Sequence, residues 1–162
     1  MLKFTIHIIP KAQMRTEPGV IKLANGKFRG TVHKKKKQRS HEETIKAFLV
    51  PHQPETPLSG ALLLGLRVYL PAPQGKPAWF TGKPKDFREL VRQGKVRPIS
   101  KPDMDNLVKQ IKDCMTQCRF WKDDAQVVGY LPCTGKYYSD SPRWEIEIVQ
   151  LHSELYRETG KR

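Results

Sequence analysis

Residues 101–118, Lys101-Pro102-Asp103-Met104-Asp105-Asn106-Leu107-Val108-Lys109-Gln110-Ile111-Lys112-Asp113-Cys114-Met115-Thr116-Gln117-Cys118, read as the principal helix of the chain. Met104, Leu107, Val108, Ile111, Cys114, Met115 and Cys118 recur at the i, i+3, i+4, i+7 spacing that gathers apolar side chains into one stripe. At about 100° per residue, Asp105, Lys109 and Asp113 fall on the opposite, polar side. Pro102 holds the approach extended, which makes Asp103 the expected N-cap.

Moving towards the C-terminus, Lys122-Asp123-Asp124 leads into an expected strand over 125–131. A second strand is expected over 142–151, where Trp144, Ile146 and Ile148 alternate with Arg143, Glu145 and Glu147. Residues 152–162 are polar and read as a frayed tail. Towards the N-terminus, 71–102 is rich in proline and carries Lys or Arg at 76, 83, 85, 88, 92, 95, 97 and 101 against only Asp86 and Glu89. It reads as a basic excursion with one helical turn around Phe87, Leu90 and Val91. Residues 61–70 are continuously apolar apart from Arg67, as expected of a central strand covered on both faces.

Ser40 and Glu43 have capping-box spacing, and Ile45, Phe48 and Leu49 then share one side of a short helix ending before Pro51. Residues 11–38, polar and glycine-containing, read as a loop that carries Lys34, Lys35, Lys36 and Lys37. At the start, Leu2, Phe4, Ile6 and Ile8 alternate with Lys3, Thr5 and His7 as in a half-buried strand. The expected order is β-α-β-α-β-β, an α/β arrangement of α+β type. One domain over 1–162 would hold a small mixed four-stranded sheet and about two main helices.

Thirty Lys and Arg against sixteen Asp and Glu give a formal net charge of +14 and a pI near 9.9. Such a balance points to a polyanionic partner, because phosphates neutralised by lysine and arginine release counterions. The opening apolar run is too short for a signal segment, and no stretch approaches the roughly 18 apolar residues of a spanning helix. Three cysteines, an odd number, do not make a disulfide framework. A soluble protein of the cytoplasm is therefore expected, without membrane association. Cys114 and Cys118 lie on the apolar stripe and read as core, and the scattered histidines receive no role.

In so basic a chain the clustered carboxylates need a reason. Asp103 and Asp105 stand at the helix entry, and a short return after the helix would bring Asp123 and Asp124 back towards it. The plain structural reading is that Asp103 caps, Asp105 complements the helix dipole and Lys109 makes an i, i+4 ion pair with Asp105. The chemical reading is phosphodiester hydrolysis. Carboxylate oxygens hold Mg²⁺, the metal activates water and offsets charge on the phosphate, and a nearby lysine supports the same charge.

The two segments KPDMDNLVKQIKDCM and RFWKDDAQVVGY resemble the core signature of the RusA family of Holliday junction resolvases, D-x-D-N-L-x-K followed by F-W-x-D-D-A-Q-V-V. That resemblance, over 101–130, implies a Mg²⁺-dependent endonuclease, with Mn²⁺ as substitute, that nicks four-way DNA junctions symmetrically as a homodimer. By position it implies Asp103, Asp105 and Asp124 as metal-binding carboxylates and Lys109 as the catalytic lysine. Asp113 and Asp123 match positions of supporting roles, Asp113 as a residue orienting Lys109. Lys95, Arg97 and Lys101, which lead into Asp103, and Lys34, Lys35, Lys36 and Lys37 are candidates for DNA contact. Trp79, Phe80, Phe120 and Trp121 divide between base stacking and packing in the core or dimer.

Overall fold

The computed structural model describes residues 1–13, 17–33 and 36–151. Its elements run β1 (Leu2–Ile6), β2 (Glu17–Lys22), β3 (Phe28–His33), α1 (Lys36–Leu49), β4 (Ala61–Pro71), α2 (Pro84–Arg92), α3 (Met104–Gln117), β5 (Val127–Tyr130), β6 (Gly135–Ser139) and β7 (Arg143–Leu151). Short 3-10 turns occupy Val50–His52 and Asp124–Gln126. This is a mixed α+β fold, in keeping with the patterning of the sequence.

β4 is the middle of the sheet. It runs antiparallel to β7, which in turn pairs antiparallel with β1. The other edge of β4 is shared by two short parallel strands, β5 beside residues 62–64 and β6 beside residues 67–71. The sheet thus has five strands where four were expected. The addition is β6, whose Gly135-Lys136-Tyr137-Tyr138-Ser139 is half-buried throughout and carries no apolar alternation. Parallel pairing also leaves no hairpin turn in the sequence to announce it.

One face of the sheet meets the helices. Leu62, Leu64, Leu66 and Val68 of β4, with Phe4, Ile6, Trp144, Ile146 and Ile148, pack against Ile45 and Leu49 of α1 and the Leu107, Ile111, Cys114 and Met115 stripe of α3. Each such side chain contributes about 1.5–3 kcal/mol on leaving water. Burial pushes the Cys114 thiol up to about 11, as suits a packing residue.

The opposite face is not covered as the apolar run of 61–70 suggested. Leu63, Arg67 and Tyr69 are half-exposed there, and the Arg143 guanidinium lies 3.7 Å from the Tyr69 ring centre while pairing with Glu145 at 2.8 Å. Gly65 marks a close approach on this strand. A Cβ at that position would stand 2.9 Å from Leu131 Cδ1 and 3.1 Å from Cys133 Sγ.

Two N-terminal expectations are corrected. Residues 11–38 are not one loop, because β2 and β3 form an antiparallel hairpin. Its residues 20–30 are all exposed, so hydrophobic alternation could not mark it. The legible signal was Asn25-Gly26 at the turn, where Gly26 takes a φ of 78° and Asn25 Oδ1 accepts from Lys27 N–H at 3.1 Å. α1 begins at Lys36, not after Ser40, so no capping box forms there. Ser40 sits inside the helix, and its carbonyl accepts from Thr44 Oγ1 at 2.9 Å. Lys36 and Lys37 therefore belong to a helix. Lys34, Lys35 and the tail 152–162 lie outside the described residues.

Within 71–102 the expected single turn is the nine-residue α2, whose Phe87 and Val91 are buried. Trp79 and Phe80 pack edge-on against Phe87, at 6.0 and 5.1 Å between ring centres. Phe120 and Trp121 are core residues, which favours packing over stacking on a base. Among the described residues no helix is long and apolar enough to cross a membrane.

α3 ends in a Schellman motif. Phe120 N–H bonds the Met115 carbonyl and Arg119 N–H the Thr116 carbonyl, both at 3.0 Å, with Arg119 in the left-handed region at φ 59°. This turn directs the chain back along the helix towards Asp124.

Candidate active site

Asp105 and Asp124, 19 positions apart in sequence, line one groove of about 740 Å³. Lys109 and Lys112 join them on its polar side, while Met104, Val108, Tyr130, Leu131, Pro132 and Thr134 complete the lining. Helical spacing explains the first contributions, since positions 105, 109 and 112 fall within about 60° of one another around α3. Asp124 arrives from the 3-10 turn that follows the Schellman motif.

That turn is fastened at several points. Asp123 Oδ1 accepts from Ala125 N–H at 2.8 Å, and Gln126 Oε1 accepts from the Lys122 and Asp123 N–H groups at 2.9 and 3.2 Å, a capping box. Gln126 Nε2 donates to the Leu58 and Gly60 carbonyls at 3.0 and 3.2 Å, tying the turn to the approach to β4. Gln126→Ala strips four bonds at once. We expect it to lower unfolding free energy by about 1–3 kcal/mol in denaturant titrations and to reduce catalysis more than DNA affinity.

The far wall hangs on the edge of β4. Between the end of β5 and the start of β6 the ladder is interrupted, and Thr134 fills the gap with its side chain. Its hydroxyl accepts from Leu66 N–H and donates to the Leu64 carbonyl, both at 3.2 Å, while Leu131 N–H bonds the same carbonyl at 3.0 Å.

The carboxylates differ in their partners. Lys112 Nζ stands 3.4 Å from Asp124 Oδ2, with side chains 16 and 45% exposed respectively. Asp105 and Lys109 are exposed and have no ion pair or side-chain hydrogen bond among the described residues. The i, i+4 pair allowed by the plain reading is thus not formed. Asp103 occupies the N-cap position, yet its side chain makes no capping hydrogen bond. It is exposed and lies outside the groove lining.

Among the described residues no three His, Cys, Asp or Glu side chains converge closely enough to hold a metal ion. The donor chemistry still fits a hard cation. Mg²⁺ takes one or two carboxylates and fills its remaining positions with water, and Asp105 and Asp124 supply two to the lining of one groove, with Asp103 two residues from Asp105. The supporting aspartates are engaged elsewhere. Asp123 caps its turn, and Asp113 accepts from Gln13 Nε2 at 2.9 Å, with no hydrogen bond or ion pair to Lys109 among the described residues.

The family model described as Endodeoxyribonuclease RusA matches residues 10–149. The chain belongs to the RusA family. Over 152 residues, 93% of this chain and 96% of the relative, it is 33% identical to the uncharacterized protein YqaN of Bacillus subtilis (strain 168). Over 52 residues, 32% of this chain and 38% of the relative, it is 42% identical to the crossover junction endodeoxyribonuclease rusA of Lactococcus phage r1t.

In this RusA-family chain two residues at or beside the candidate groove escaped the reading of the sequence. Lys112 lies seven residues beyond Asp105, hence nearly in line with it on the helix, and that spacing was the available signal. Lys136 of β6 donates from Nζ to the Ser100 and Pro102 carbonyls, both at 2.9 Å, and so holds the entry to α3 from across the fold. Nothing local in the sequence predicts that contact. Of the residues expected to meet DNA, Lys95 and Lys101 are exposed. Arg97 is committed to β6: its guanidinium lies 3.6 Å from the Tyr137 ring centre and donates to the Lys136 carbonyl at 3.3 Å.

Proposed function

We propose that this chain is a divalent-metal-dependent endonuclease of branched DNA that resolves four-way junctions by paired nicks as a homodimer. The observation that carries the reading is the groove in which Asp105, Lys109, Lys112 and Asp124 meet, set in a protein of net charge +14. Membership of an endodeoxyribonuclease family and the likeness to a phage crossover junction enzyme support it.

Asp105 and Asp124, with Asp103 beside them, would hold Mg²⁺ or Mn²⁺. When bound, such a cation supplies an activated water and offsets charge on the scissile phosphate. The protein's own groups do the rest. Lys109, unpaired among the described residues, presents its ammonium to a non-bridging phosphate oxygen. Lys112 neutralises Asp124, so the groove does not repel an approaching phosphodiester. Met104, Val108 and Tyr130 line the apolar part of the same groove.

Paired nicks in symmetry-related strands need two such grooves, and one per chain implies a C2 dimer. Sedimentation of the full chain should give a dimer mass, with a monomer as the contrary result. Cleavage of a synthetic four-way junction, compared with fork, flap and linear duplex at one fixed salt concentration, tests substrate choice. We expect the junction to be nicked fastest, and chelation of divalent metal to stop nicking while leaving DNA binding in place. Binding to all four substrates without cleavage in either metal would favour a non-catalytic basic DNA-binding module instead.

A further inference from the structure

A second concavity, of about 650 Å³, opens beside the first turn of α1 and is lined by Lys11, Lys36, Lys37, Ser40, His41 and Thr44 among others. Its three lysines come from two separate segments, and none has an acidic partner among the described residues. Three ammonium groups around one hollow, without an acidic partner among the described residues, repel one another, and this arrangement becomes favourable when an anion lies between them. The volume suits a stretch of sugar-phosphate backbone better than a single ion.

His41 stands out within this lining. Its Nε2 is buried and has no hydrogen-bond partner among the described residues, while the ring also bonds the Lys11 main chain. Burial, and then the nearby Lys11 charge, push the imidazole pKa below its ordinary 6.5, against the opposing pull of that bond and of Glu42. These surroundings disfavour the proton that would turn Nε2 into a donor. A phosphate oxygen placed there supplies both the acceptor and the compensating charge.

The hollow is joined to the catalytic groove through α3. Gln13, two residues beyond Lys11, donates from its N–H to the Asn106 carbonyl at 3.3 Å and from Nε2 to Asp113 Oδ2 at 2.9 Å. Gln38, next to Lys37, donates to Gln110 Oε1 of the same helix. Asn106, Gln110 and Asp113 lie roughly a fifth to two fifths of a turn around α3 from Asp105, all on the same flank. A strand leaving the groove along this flank of the helix meets the lysines.

We propose that the Lys11, Lys36, Lys37 and His41 concavity is a second phosphodiester-binding site, which grips the DNA backbone away from the scissile phosphate and takes up a proton on His41 as it does so. Only the position relative to the scissile phosphate rests on the proposed nuclease reading. Affinity of the hollow for DNA backbone does not. Protonation of His41 on binding also sets a sign. Binding tightens as pH falls through the interval between the lowered pKa of the free protein and the raised pKa of the complex.

The test uses the full chain carrying Asp105→Asn, in chelator, with a short linear duplex as one probe and inorganic phosphate as another. Calorimetry in buffers of different ionisation enthalpy, near the ordinary histidine pKa, should show net proton uptake with duplex that His41→Gln removes. Lys36→Met and Lys37→Met should each lower the slope of log affinity against log salt by about one unit. Where His41→Gln fails to fold, the lysine variants decide alone, through that slope and through reduced proton uptake. Equal uptake and equal slopes in parent and variants would overturn the site. Uptake with inorganic phosphate but none with duplex would overturn the assignment to DNA. Since linear duplex is the probe, failure here leaves junction cleavage untouched, and failure of junction cleavage leaves this result standing.

Discussion

Asp105→Asn and Asp124→Asn should each slow junction nicking by roughly 10³-fold or more while leaving junction affinity equal or higher. Each substitution keeps size and hydrogen-bonding capacity but deletes one of the two carboxylates that line the groove. Loss of a metal-binding oxygen removes stabilisation needed in the transition state, whereas loss of a negative charge next to a phosphate helps binding. The two effects have opposite signs, so a single titration at fixed salt, read for both binding and cleavage, separates them. Asp124→Asn carries a second signature, because Lys112 loses its 3.4 Å partner and becomes another free cation in the groove. We expect its affinity gain to exceed that of Asp105→Asn. Parallel loss of binding and cleavage, or unchanged nicking, would refute the assignment.

Trp121→Ala should cost about 3–5 kcal/mol in denaturant or thermal unfolding, the largest stability effect we expect from one residue near the site. Its side chain is 1% exposed, its indole N–H donates to Thr116 Oγ1 at 2.7 Å, and its backbone bridges to Leu58. Thr116 Oγ1 in turn donates to the Lys112 carbonyl at 3.0 Å. Removing the ring opens a cavity where the returning chain anchors, three residues before Asp124, so the surviving folded molecules should also cleave slowly. Trp121→Phe retains most of the volume and loses only the indole donor, for about 1–2 kcal/mol. Equal costs for the two substitutions would show that the anchoring role is misassigned. Against a typical domain stability of about 5–15 kcal/mol, the alanine variant would be marginal at growth temperature.

How much the sequence disclosed depended on whether an element faces the core. α3 and its stripe, β1 and β7 bury one face each, and burial writes a period into the residues, while β4 shows as a continuous apolar run. The β2–β3 hairpin buries almost nothing and β6 is half-buried along its length, so neither carries a period. Only Asn25-Gly26 recorded the hairpin. At the site, Asp105 and Lys109 were readable from helix spacing and Asp124 from the paired motifs, but their present partners were not. Ion pairing of Lys112 with Asp124, the hold of Lys136 on the entry to α3 and the engagement of Asp113 by Gln13 are all contacts between distant segments. His41 is the sharpest case, because its placement beside Lys11 arises from tertiary packing that no local pattern encodes.

The hydroxyl of Thr134 has a consequence for how such a protein diverges. Because a side chain spans the gap on the edge of β4, the residues between β5 and β6 are tied to β4 at their two ends, by Leu131 N–H and by the Thr134 hydroxyl, and not by a continuous ladder. Extra residues there would add little closure cost, about 0.6 kcal/mol for each doubling of loop length. A lineage can therefore remodel the wall of the groove, and with it the shape of DNA admitted, by insertion at one point, while the carboxylates on the opposite side keep their places.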